Sequence, residues 1–159
     1  MPGVTDRSGQ RLIRSAQATP AGWVEDRPGV SYSLVHVDIH QGLWVTKVKF
    51  KPGAVVPMHL HTGPVIGYTV RGSWGYPSDD ALFQAGDYCL EVAGTYHQVE
   101  VPTTNVDDTE AIFLLWGALI IFKPGSREII EYTDAATVED EYLTLCKKQN
   151  VSPAQYIKI

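Results

Sequence analysis

At 159 residues the chain is a single domain, long enough to bury roughly 70% of its unfolded surface without a disulfide or metal staple. Its 44% hydrophobic and 19% charged residues exclude intrinsic disorder, and a net charge of −5 argues against nucleic acid or an anionic membrane as main partner. The longest apolar run, Ala111 to Phe122, falls short of the ~18 residues of a membrane-spanning helix. No basic stretch leads into an apolar segment near Met1, so a cytoplasmic location is expected. Cys89 and Cys146 are too few for a disulfide framework and are expected as buried small hydrophobes.

In chain order, residues 1–22 are polar, Gly- and Pro-containing and without periodicity, which predicts an N-terminal arm. From Val30 onward short β-rich runs alternate with Gly and Pro. The candidate strands are Ser31–Asp38, Leu43–Phe50, Val65–Arg71, Ser73–Tyr76, Tyr88–Val92, Gln98–Val101, Ala111–Trp116 and Ala118–Phe122. Turn signals between them include Lys51-Pro52-Gly53, Gly63-Pro64, Ala85-Gly86-Asp87 and Lys123-Pro124-Gly125. Many short strands at near-regular spacing predict an antiparallel sandwich or barrel. One segment, Thr137 to Gln149, predicts a helix: Val138, Tyr142 and Leu145 share a face, acids come early, and Lys147 and Lys148 come late. Ser152-Pro153 is a candidate start for one further short turn of helix.

Three of the five histidines carry the chemical signal. His59 and His61 are separated by one residue, so in an extended chain both imidazoles point to one face and can converge on one ion. His97 follows after a strand-turn-strand excursion that can return it beside the pair. His36, Asp38 and His40 also alternate onto one face, either as a second metal site or as a polar strand edge, the reading favoured here. Asp79-Asp80 and Asp107-Asp108 read as loop acids.

A glycine frame surrounds the histidines. Gly53, His59-x-His61 and Gly72 form one half, and Gly86, Gly94 and His97 the other. Together they resemble the two motifs of the cupin superfamily. Val65 stands where the first motif has a glutamate, and Val92 and Val101 replace the proline and asparagine of the second. The resemblance implies an all-β fold: a cupin (double-stranded β-helix, or jelly-roll) barrel with a C-terminal α-helix. Its expected boundaries are an arm over 1–22, the barrel over 23–133, and the helix packed on the barrel over 134–159. With valine at 65, the expected first shell is three neutral imidazoles, His59, His61 and His97, with no compensating negative charge. Such a site, with open positions, favours an anionic bidentate ligand such as an enolate. Imidazoles suit iron, nickel, copper or zinc, so the ligand set alone leaves the metal open.

Within the cupins, the segment from His59 to Tyr76 and Glu91-Val-Ala-Gly94-Thr-Tyr-His97 resemble the 2,4′-dihydroxyacetophenone dioxygenases. A more distant likeness, through the His-x-His-x-Gly-Pro pattern and Trp44, is to the acetylacetone-cleaving dioxygenase. These resemblances imply one divalent metal per chain, Fe(II) first with zinc or nickel as alternatives. They also imply a small ketone substrate and O2, with cleavage of a carbon–carbon bond. The same motifs resemble ChrR-type anti-sigma cupin domains, which bind zinc and regulate; the additional N-terminal zinc-binding domain of a full anti-sigma factor is not expected here. Rival readings are therefore a zinc or nickel isomerase, hydrolase or lyase, and a non-enzymatic regulatory module.

Glu91 lies six residues before His97, where both dioxygenase groups carry a glutamate. A carboxylate there can orient a ligand imidazole or act as a base for enolisation. If Val65 faces the metal, Gly67 and Thr69 do too, and Gly67 leaves room for an aromatic substrate. Phe113 and Leu115 share one face of the late strand as an apolar lining. Cys89 shares a face with Glu91. Association as a homodimer or homotetramer is expected through strand edges and the arm.

Overall fold

The computed structural model describes residues 22–78 and 81–159, together with the backbone of β1 (Val4–Thr5) and β2 (Arg11–Leu12), which pair antiparallel. The rest of the predicted arm, and Asp79-Asp80, lie outside the described residues. The chain then runs through β3 (Val24–Arg27), β4 (Val30–Asp38), β5 (Leu43–Phe50), β6 (Val55–His61), β7 (Val65–Arg71) and β8 (Ser73–Tyr76). It continues through β9 (Ala81–Gln84), β10 (Tyr88–Glu91), β11 (Tyr96–Glu100), β12 (Thr109–Trp116), β13 (Leu119–Phe122) and β14 (Ile129–Thr133). A helix α1 (Val138–Gln149) and a short strand β15 (Ile157–Lys158) complete it.

Two sheets face each other. One has the order β10-β7-β12-β5-β4-β15, with β3 also on β4; the other has the order β14-β13-β6-β11-β8-β9. Every pairing is antiparallel except β15 on β4. The fold is thus the all-β cupin barrel with a C-terminal helix. Among the described residues, no helix is long and apolar enough to cross a membrane.

Strands β5, β7 and β8 have the predicted bounds, and the other candidate strands shift by one or two residues. The candidate strands omitted β1 and β2, within the predicted arm, and β3, β6, β9, β14 and β15. In β6 the reason is Pro57, which cannot donate to a ladder and sits where the β6–β11 register shifts. Residues after Ser152 are not helical; Ala154 N–H instead donates to the Tyr142 hydroxyl, and β15 follows.

Helix α1 follows a turn in which the Asp134 carboxylate accepts from the backbone N–H of Ala136 and Thr137; its N-cap residue, Thr137, makes no side-chain capping bond. It ends at Asn150 in the left-handed region, φ 56°, with Val151 N–H on the Cys146 carbonyl. Val138, Tyr142 and Cys146 are its buried residues, so Cys146 packs more deeply than the predicted Leu145. They meet Val24, Leu34, Val37 and Trp44 in one part of the core. A second part gathers Phe50, Trp74, Tyr76, Cys89 and Val99 between the sheets. Both cysteines are free and buried.

Candidate metal centre

Strand β6 presents His59 and His61 on its inward face, and β11 returns His97 directly opposite His59 in the ladder. Gly94 makes that return possible. Its φ of +84° turns the chain where a side chain would be strained, and its N–H donates to the His61 carbonyl at 2.8 Å. All three imidazoles are buried, and one ligand nitrogen from each lies within 4.8 Å of the others. The Pro57 carbonyl, which can only accept, fixes a proton on His59 Nδ1 at 2.7 Å and leaves Nε2 as a lone pair.

Glu91 approaches from the opposite sheet. Its Oε2 lies 3.3 Å from Nε2 of both His61 and His97, and its Oε1 accepts a 2.5 Å hydrogen bond from the Tyr76 hydroxyl. The sequence expectation of a site without compensating charge is therefore corrected: a carboxylate is present, delivered by β10 rather than by residue 65. Burial pushes the Glu91 carboxyl up, but contact with His97, electrostatic interaction with His61 and the Tyr76 bond outweigh it and hold it below the usual range. Burial and the neighbouring imidazoles lower His59 to about 3. Burial, against the opposing pull of Glu91, lowers His61 to about 4. These two rings are neutral near pH 7 and available as ligands.

The donor set fits a divalent ion. His97 Nε2 and Glu91 Oε2 are buried without hydrogen-bond partners, a costly state that a cation between them relieves. His59, His61 and His97 are the only such metal-holding group among the described residues. His36, Asp38 and His40 do not converge: Asp38 caps a turn by accepting from Gln41, and His40 is exposed.

A cavity of about 620 Å³ opens onto His59, His61 and Glu91. Val65, Phe113 and Leu115 line it, with Trp44 and Ile121. Gly67 is inward but not on the wall. A Cβ there would sit 3.0 Å from the Phe113 ring, so Phe113 already fills the room expected for substrate. Tyr76, which clamps Glu91, escaped the sequence reading, although its alternation with buried Trp74 was available as a signal. Cys89 Sγ, on the same face as Glu91, lies 3.7 Å from the Tyr76 hydroxyl. Where the cavity meets solvent, Arg27 binds both Asp26 and Glu131, at 2.7 and 2.6 Å, and α1 contributes Thr144 and Leu145.

Two facing antiparallel sheets with three inward histidines on adjacent strands define a cupin whose histidine group could hold a metal ion. Residues 12–120 match the family described as the ChrR cupin-like domain, and the chain belongs to it. A cupin-like protein of unknown function from Ralstonia eutropha JMP134 is 30% identical, with a TM-score of 0.75 over 82% of this chain and 80% of that one. An RmlC-like cupin from the same organism is 27% identical, with a TM-score of 0.71 over 98% and 93% of the two chains. The acetylacetone dioxygenase of Acinetobacter johnsonii shares the fold at 14% identity, with a TM-score of 0.71 over 86% and 95%. No curated protein matches the chain.

Proposed function

We propose that the protein is a mononuclear non-haem Fe(II) dioxygenase that cleaves the carbon–carbon bond beside a ketone, with a hydroxyacetophenone- or β-diketone-like substrate. The observation that supports this most is a three-imidazole centre opening on a largely apolar cavity of about 620 Å³. His59, His61 and His97 would hold the ion. Bound Fe(II) would supply Lewis-acid polarisation of a chelating ketone and redox chemistry with dioxygen. Phe113, Leu115, Val65 and Trp44 form an apolar wall suited to an aryl or alkyl group, and they exclude water from the reacting carbons. Glu91 adds fixed negative charge on the ion's side of the cavity.

Exposed Tyr68 and Val70 on β7 and Tyr88 and Leu90 on β10 form an apolar outer face that supports association as a homodimer or homotetramer. Light scattering of the purified chain tests that part.

The test of function is anaerobic loading with Fe(II), followed by oxygen uptake on hydroxyacetophenones and β-diketones. Substrate-dependent uptake that His97→Ala abolishes supports the reading. Tight zinc or nickel that iron cannot displace, with no uptake on any ketone, sinks it. The family match favours a second reading, a metal-dependent regulatory module. Metal-dependent association with a partner protein, in the absence of turnover, would establish that one.

A further inference from the structure

Val65 and Glu91 are direct partners in the β7–β10 ladder, and both side chains are buried on the inner face. A carboxylate from residue 91 therefore enters the site from the same side as one from residue 65 would. We propose that Glu91 is the fourth protein ligand of the metal, its Oε2 replacing across the strand pair the carboxylate that position 65 lacks. The proposal rests on the metal-centre reading and is independent of the reaction.

Three observations carry it. Donors bound to one ion at 2.0–2.2 Å, at tetrahedral or octahedral angles, stand roughly 3.0–3.4 Å apart. Glu91 Oε2 stands 3.3 Å from Nε2 of both His61 and His97. Next, once those nitrogens direct lone pairs at an ion, neither keeps a proton there for Glu91. Oε2 makes no other hydrogen bond, so it would remain buried and unpartnered unless it takes the ion too. Finally, the Tyr76 hydroxyl on Oε1 fixes the carboxylate with its other oxygen turned toward the imidazoles.

The test uses the full chain, stripped of metal and titrated with Co(II), whose visible spectrum responds to its ligand set. Wild type is compared with Glu91→Gln, Glu91→Val and the exchanged pair Val65→Glu with Glu91→Val, each checked for folding by circular dichroism. Glu91→Gln and Glu91→Val should bind cobalt about tenfold weaker or worse, with an altered spectrum. The exchanged pair should regain the wild-type affinity and spectrum. An unchanged spectrum in Glu91→Gln overturns the assignment, even if affinity falls, because the carboxylate then acts only from outside the ligand set. A folded exchanged pair that does not recover also overturns it. Failure of wild type to bind cobalt, zinc or iron would remove the metal centre altogether. Glu91-dependent cobalt binding without oxygen uptake in the iron form would remove only the dioxygenase reading.

Discussion

The hydroxyl of Tyr76 donates to Glu91 Oε1 at 2.5 Å while the tyrosine ring lies 4.7 Å from that of His97, tilted by 33°. One buried side chain thus steadies both the carboxylate and an imidazole of the centre. Tyr76→Phe keeps the ring and removes the donor. It should lower stability by about 1–3 kcal/mol, the usual range for a hydrogen bond to a charged group. Metal affinity should fall severalfold as the carboxylate loses its orientation. Urea unfolding and competitive metal titration check the two effects, and an unaltered metal affinity would contradict the positioning role.

Gly67 and Phe113 set the width of the cavity. Gly67→Ala places a Cβ 3.0 Å from the Phe113 ring. The ring must give way toward the cavity, so the variant should lose about 1–3 kcal/mol from overpacking. Under the proposed function, KM for aryl ketones should rise more than KM for small alkyl diketones. Steady-state oxygen uptake on both substrate types measures the difference.

The two depressed imidazoles predict acid sensitivity of the metal-free protein. From the ordinary 6.5, His59 is lowered to about 3 and His61 to about 4. Below pH 6.5 the unfolded chain takes up protons on both, while the folded chain does not until about pH 4. The unfolded state then binds more protons, so stability falls as pH drops. The loss should be about 2 kcal/mol per imidazole between pH 6.5 and 5. Glu91, lowered from 4.5, adds a loss of the same sign only at still lower pH. Urea midpoints at pH 7, 6 and 5 test this, and a flat profile over that window would refute it.

Tyr142 is fully buried, and its hydroxyl donates to the Gly22 carbonyl while accepting from Ala154 N–H. Tyr142→Phe strands both backbone groups and should cost about 1–3 kcal/mol. Neither bond involves a histidine of the centre or Glu91, so metal stoichiometry should stay at the wild-type value. Denaturant unfolding together with metal analysis separates the two.

The barrel was legible because β5, β7 and β8 are bounded by Gly and Pro at positions where the chain turns. The His-x-His pair was legible because strand alternation needs no knowledge of register. What stayed hidden depends on pairing between strands. That Glu91 lies opposite Val65 follows from the β7–β10 register, and no residue in either strand announces it. Gly67 was read as open space because the side chain that fills it, Phe113, belongs to β12. Strand β6 was obscured by Pro57, the residue whose carbonyl sets the His59 tautomer. Edge strand β3 is short and polar, the apolar residues of edge strand β14 are exposed rather than alternating, and β15 is held by pairing with a distant segment, so local pattern carried little signal for them.

The pairing of β15 with β4 has a kinetic meaning for whatever occupies the cavity. Helix α1 contributes Thr144 and Leu145 to the rim, and it is anchored at one end by the hydrogen-bonded turn at Asp134 and at the other by Tyr142, Ala154 and β15. So anchored, it cannot swing out as a flap. Passage is then expected past the Arg27–Glu131 clasp, in which the arginine is 15% and the glutamate 46% exposed, by rearrangement of side chains rather than by the microsecond-to-millisecond motion of a whole element. The dwell time of a bound molecule is then governed by its own grip on the interior, not by the opening of a door.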